Sequence, residues 1–195
     1  MGVVVLDAGF HYSNTNYVLL GMILEAATGM KAGPVLHARA LGPAKLAATL
    51  LDGEDTVDKG RMARGFSSSN KDVTFLADMS WPWTAGSMVA SGADLADWVA
   101  TLYDSTAVLD PTQRALLASK TSDFGSGTKY GLGVVLLDPA ITGGAGAGLG
   151  HGGAIDGFYT QAFYFPDKKT AIVSITNQDG TNPNDITAAA LKSLF

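Results

Sequence analysis

Cysteine is absent from the 195 residues. Disulfides, thiolate catalysis and thiolate zinc sites are excluded together. Histidine is scarce. His11, His37 and His151 are the three, and no two stand at metal-ligand spacing, so neither a metal nor another cofactor is expected. Charged residues make up 16% of the chain, with a net charge of -5. They are scattered, with no basic stripe for a nucleic acid backbone and no basic amphipathic helix for a membrane surface. A nucleic acid partner is therefore excluded. Every longer apolar run is broken by Gly, Glu or Asp, so no membrane-spanning segment is expected. Residues 1–6 are apolar but too short for a signal peptide, and no basic region precedes them. The compartment stays open.

What remains suits a packed domain. Apolar residues reach 47%, and the length permits one sizeable core, read here as a single domain over 1–195. Residues 15–28 predict a helix that is apolar almost all round. Glu25 is its only charge, so it should be buried on most faces, with Gly29 as its C-terminal cap. A small helix is expected near 43–51, then an acidic loop, then short extended pieces within 61–90. Ser91 and Asp94 resemble a capping box. Leu95, Trp98, Val99 and Leu102 follow at helical spacing. Asp110-Pro111-Thr112-Gln113 opens another helix.

The C-terminal third changes character. Residues 130–137 read as a strand and 143–153 as a glycine-rich stretch. Residues 158–165 and 170–176 read as strands joined by a turn at 166–169, and 184–195 as a closing helix. The expected class is α+β: a mainly helical part over 1–125, then an antiparallel meander with a terminal helix over 126–195.

Two places combine reactive side chains with an unusual backbone. The first is Tyr12-Ser13-Asn14, directly before the apolar helix. Its plain structural reading is that Ser13 or Asn14 caps that helix. The second is His151-Gly152-Gly153, entering the last meander, where small residues let another backbone approach. Its plain reading is a loop with a solvated histidine. Gly148 to Gly153 also satisfies G-x-G-x-x-G. A dinucleotide fingerprint needs a helix opening at its end, and here strand-like residues follow, so nucleotide binding is not expected.

Taken together in order, these residues resemble the serine β-lactamases and penicillin-binding proteins. The relevant branch holds class C β-lactamases, D-alanyl-D-alanine carboxypeptidases, D-aminopeptidases and related esterases. In that branch Tyr-x-Asn is the second motif and His-x-Gly is often the third. Tyr12-Ser13-Asn14 and His151-Gly152-Gly153 match. So do their surroundings, Phe10 to Tyr17, Ala85-Gly86-Ser87-Met88 with Asp94-Leu95, Tyr130-Gly131-Leu132-Gly133, and Gly157-Phe158 through Phe165-Pro166-Asp167.

The resemblance implies an incomplete β-lactamase/transpeptidase-like fold and an acyl-enzyme mechanism on a small peptide, β-lactam or ester. Tyr12 would be the general base. A tyrosine titrates near ~10, so nearby positive charge is needed; the family lysine would supply it, with His151 helping. Asn14 would hold that lysine and the substrate amide. Gly152 and Gly153 would let the substrate lie along the strand, and the Ala154 amide would be one oxyanion donor, typically worth ~3 kcal/mol. The family is bacterial and often periplasmic or secreted.

The family's Ser-x-x-Lys lies on a helix upstream of Tyr-x-Asn, and only eleven residues precede Tyr12. Ser68 to Lys71 and Ser126 to Lys129 match the pattern downstream, but in polar or Gly-rich runs that are neither helical nor apolar. The nucleophile is therefore expected outside this chain, which alone should be inactive. Without the fold's N-terminal strands, a strand edge and an apolar face should lie open, to be covered by the missing N-terminal part or by a swapped dimer. The competing reading is a non-catalytic, truncated or degenerate peptide-binding module.

Overall fold

The computed structural model describes residues 10–76 and 78–195. Helix α1 spans Asn14–Thr28. Ser13 caps it from an extended backbone, its hydroxyl accepting from the Thr15 amide at 3.3 Å, and Gly29 closes it in the left-handed region at φ 67°. The helix is not buried on most faces. Leu19, Leu20, Met22 and Ile23 are half or more exposed, and Gly21 is its one fully buried residue. Among the described residues it packs on the turn Trp83–Ala85 and on α2 (Ala32–Leu36), too little to cover an apolar surface that runs all round. The contact with the turn is close: a Cβ on Gly21 would stand 2.2 Å from the Thr84 hydroxyl, which itself donates to the Tyr17 carbonyl.

The small helix expected near 43–51 lies earlier. α2 continues into a π-helical turn at His37–Leu41, and 43–49 is turn. Glu25 and Glu54 accept from the amides of Ala32 and Gly33 and so seat the helix start there, while Pro43 has no amide with which to continue it. Two short strands, β1 (Leu50–Leu51) and β2 (Met88–Val89), pair antiparallel. The extended pieces expected in 61–90 reduce, apart from β2, to an isolated bridge of Phe66 with Asp72 and Gln178.

Helix α3 (Gly92–Asp104) starts at Ser91, whose hydroxyl accepts from the Asp94 amide at 3.1 Å. Helix α4 (Pro111–Leu117) has the full reciprocal cap. Asp110 accepts from the Gln113 amide, and Gln113 accepts from the Asp110 amide.

Six antiparallel strands then form one sheet in chain order: β3 (Ser122–Gly125), β4 (Thr128–Tyr130), β5 (Val135–Leu137), β6 (Gly148–Ile155), β7 (Phe158–Phe165) and β8 (Thr170–Thr176). The sheet therefore begins at Ser122, ahead of the boundary at 126. The strand expected over 130–137 is two strands joined by a tight turn. Gly131 donates to the Val134 carbonyl, and Gly133 takes φ +72°. Only glycine fits position 131, where a Cβ would stand 2.1 Å from the Leu117 carbonyl oxygen. The glycine-rich stretch gives way to strand at Gly148. Helix α5 (Pro183–Leu194) closes the chain.

The side chains of β7 alternate between two cores, as a pleated strand requires. Ala162 and Tyr164 join Val99, Tyr103 and Val134 in the cluster that includes α3. Phe163 and Phe165 join Tyr130, Val135, Ile172 and Leu191 in the cluster that includes α5. Each fully buried large side chain contributes about 1.5–3 kcal/mol.

Three edges stay free among the described residues. β3 and β8 end the sheet. β5 covers only Gly148 to Gly150 of β6, so 151–155 bond to β7 alone.

Candidate active site

The open half of β6 carries His151, and the segment entering α1 carries Tyr12. The fold brings them together. Their ring centroids lie 6.2 Å apart, although 139 positions separate them. Tyr130, at the end of β4, packs edge-on against both, 5.5 Å from Tyr12 and 5.5 Å from His151. Phe124 on β3 lies 6.1 Å from Tyr12, and Phe10 lies 5.4 Å from Tyr130. The wall is aromatic and carries no formal charge.

A hydrogen-bond chain runs through it. The Tyr17 and Tyr130 hydroxyls are 2.5 Å apart. The Tyr130 hydroxyl is 3.0 Å from His151 Nε2, and His151 Nδ1 is 2.5 Å from the Gly152 carbonyl. Tyr17 sits in the first turns of α1, and the Gly133 backbone lies against the edge of its ring. The tight turn at Gly131–Gly133 is thus what ends β4 with the Tyr130 phenol in the site. The residues of the two motifs were readable from the sequence. Tyr17, Tyr130 and Phe124 were given no role there, and the available signal was a tyrosine directly before Gly-Leu-Gly.

Tyr12 is partly exposed. Its burial, then the neighbouring Tyr17, push the phenol above its usual range, while a hydrogen bond with Tyr130 pulls the other way. No ion pair among the described residues involves Tyr12's neighbours, and both His151 nitrogens already have partners. Burial likewise pushes Tyr130 up, reinforced by its bond to Tyr17. These phenols stay protonated at neutral pH.

Asn14 is the first residue of α1 and is exposed; Ser13 takes the capping role. Gly152 lies against Gln161, whose amide nitrogen would stand 2.7 Å from a Cβ there. Gly153 faces open space and Ala154 is exposed, both on the free half of β6. The two Ser-x-x-Lys stretches lie elsewhere in character. Ser68 to Lys71 is an exposed turn, and Ser126 sits at φ 53° in the turn between β3 and β4. Neither places Ser and Lys on successive turns of a helix.

A second polar cluster, around His37, Glu54 and Asp55, is internally paired. His37 Nε2 meets Asp55 at 2.9 Å, Asp55 accepts from the Leu51 amide, and Glu54 accepts from Gly33 and Trp83. It staples α2 to the following loop. Among the described residues no three His, Asp or Glu side chains converge as metal ligands.

The Beta-lactamase family model matches residues 6–194. A D-aminopeptidase from Brucella anthropi is 28% identical over 182 residues, covering 89% of this chain and 33% of that protein. D-amino acid amidase from Ochrobactrum anthropi SV3, solved in complex with D-phenylalanine, superposes with a TM-score of 0.81 at 26% identity, over 96% of this chain and 61% of that one. A penicillin-binding protein from Bacillus halodurans shares the fold, with a TM-score of 0.79 at 21% identity, over 97% of this chain and 57% of its own. The chain thus spans about a third of the curated relative it matches and somewhat over half of each solved structure. With the motifs in order, the sheet in place and the model matched nearly end to end, the chain belongs to the β-lactamase family of serine hydrolases.

Proposed function

We propose that residues 1–195 form a single domain portion of a D-aminopeptidase- or amidase-type serine hydrolase, supplying the base and the substrate strand for acyl transfer. The observation that carries this reading is the approach of Tyr12 to His151 at the free half of β6. Tyr12 takes the proton of a serine and returns it to the leaving amine. An extended substrate lies along 151–155 beside Gly152 and Gly153, and the Ala154 amide is one oxyanion donor. Asn14 holds the substrate amide and the family lysine.

In this reading the serine and lysine come from residues outside this sequence, because neither internal Ser-x-x-Lys stretch is helical. The raised Tyr12 phenol fits. It becomes a base only when a lysine ammonium lies beside it, since an adjacent positive charge favours the phenolate. That same phenol favours the second reading for this chain by itself, a non-catalytic module.

The test is intact mass measurement after exposure to a fluorophosphonate and to a penicillin. The 195-residue chain is expected to gain no mass. A stoichiometric adduct on it would overturn the placement of the nucleophile. In a longer protein that includes these residues and an upstream Ser-x-x-Lys helix, an adduct on that serine and hydrolysis of a D-amino-acid amide are expected. Tyr12→Phe should lower kcat there by about 100-fold or more. Unchanged kcat in that variant would remove Tyr12 from the mechanism.

A further inference from the structure

The chain of groups from Tyr17 to Gly152 has one consistent proton arrangement around a neutral imidazole. The Gly152 carbonyl can only accept, so His151 Nδ1 carries the hydrogen. Nε2 of that ring is then an acceptor, and its partner at 3.0 Å is the Tyr130 hydroxyl, which must donate. The Tyr130 oxygen is left to accept from Tyr17, 2.5 Å away. Along this chain from Tyr17 to Gly152 each donor has one acceptor.

The elements that hold these groups are separate. Tyr17 is on α1, Tyr130 on β4 and His151 on β6, with Tyr12 packed against all three rings. No carboxylate pairs with His151 among the described residues. The ring is oriented by hydroxyls where many catalytic histidines are oriented by an acid.

We propose that Tyr130, backed by Tyr17, is a positioning residue that locks His151 as the neutral Nδ1–H tautomer, with both ring nitrogens engaged inside the protein. The neutral ring then presents a fixed edge against which Tyr12 is aligned. The claim refines the function proposed above by giving His151 a definite state, and it rests on that reading only for its catalytic meaning.

The test is nitrogen NMR of the histidine ring in the 195-residue chain at pH 8, where the two tautomers give distinct signals. In the native chain the Nδ1–H form should exceed the Nε2–H form about tenfold, the ratio given by about 1.4 kcal/mol. Tyr130→Phe keeps the ring and removes the donor. It should lower that ratio by about tenfold. Tyr17→Phe should lower it less and in the same direction, because it removes only the donor behind Tyr130.

A native spectrum dominated by Nε2–H would overturn the proposal, and so would a Tyr130→Phe ratio equal to the native one. If Tyr130→Phe does not fold, the native spectrum and Tyr17→Phe decide between the same outcomes. The measurement reads no turnover. A locked tautomer in a protein that hydrolyses nothing would sink the proposed function and leave the lock standing. A free tautomer in an active enzyme would do the reverse.

Discussion

The two halves of the molecule use the same kinds of side chain to opposite effect. In the sheet, Ile172, Phe163 and Phe165 are buried on the face that α5 covers. In α1, Leu19, Leu20, Met22 and Ile23 stand in the open. Composition does not separate the two regions; partners do. β7 is paired on both sides from Tyr159 to Tyr164, whereas among the described residues α1 meets little besides α2 and one short turn. An apolar run states a need for cover and not whether the cover is supplied by the same residues.

Substitutions sharpen this contrast. The largest effect should come from Phe165→Ala, at a fully buried position, costing about 3–5 kcal/mol in urea unfolding. A loss under about 1 kcal/mol would mean that the sheet core is not the stable half. Gly150→Ala should follow. Its Cβ would stand 2.0 Å from the Ala162 carbonyl oxygen, so β6 and β7 must separate, at about 1–3 kcal/mol. Asp110→Ala removes a cap on exposed α4 and should cost about 1 kcal/mol, read from the same unfolding curves. Ile23→Ser should stay within about 0.5 kcal/mol. A larger loss would break the comparison, because it would show that α1 is covered in solution.

The smallest effect is electrostatic and local. Hydrogen bonds from the Thr74 hydroxyl and amide, aided by Arg64, hold the Asp72 carboxyl at about 2, below its usual 3.8. The folded value is depressed, so this contribution is complete above the ordinary carboxylate range and fades as pH falls through about 2. A carboxyl-carbon NMR titration of Thr74→Ala should move the midpoint back up toward 3.8. An unmoved midpoint would show that Thr74 is not the cause.

Local signals carried much of this fold in the sequence. Ser91 with Asp94, and Asp110 with Gln113, announce helix starts within four residues, and both caps form. Strands 158–165 and 170–176 matched at every residue because alternation and the turn after Phe165 are also short-range. Elsewhere a competing short signal or a distant residue decides the structure. Gly131-Leu132-Gly133 splits one expected strand into two, since Gly131 must clear the Leu117 carbonyl from α4. Asp156-Gly157 is a strong two-residue hairpin signal that separates β6 from β7. The helix at 32–41 depends on Glu54, which no local pattern reveals. For the site, the two motifs were legible as residue types in order. The Tyr17–Tyr130 contact was not, because 113 positions separate its members.

The early end of β5 leaves the last five residues of β6 as half a ladder. The rungs still open there suit another extended backbone whose amides match this spacing. Along such a rail, inverting the α-carbon of a guest residue while its amides keep their rungs swings its side chain away from the direction an L-residue would use. If the proposed substrate takes this rail, its handedness becomes a difference in which surface its side chain meets.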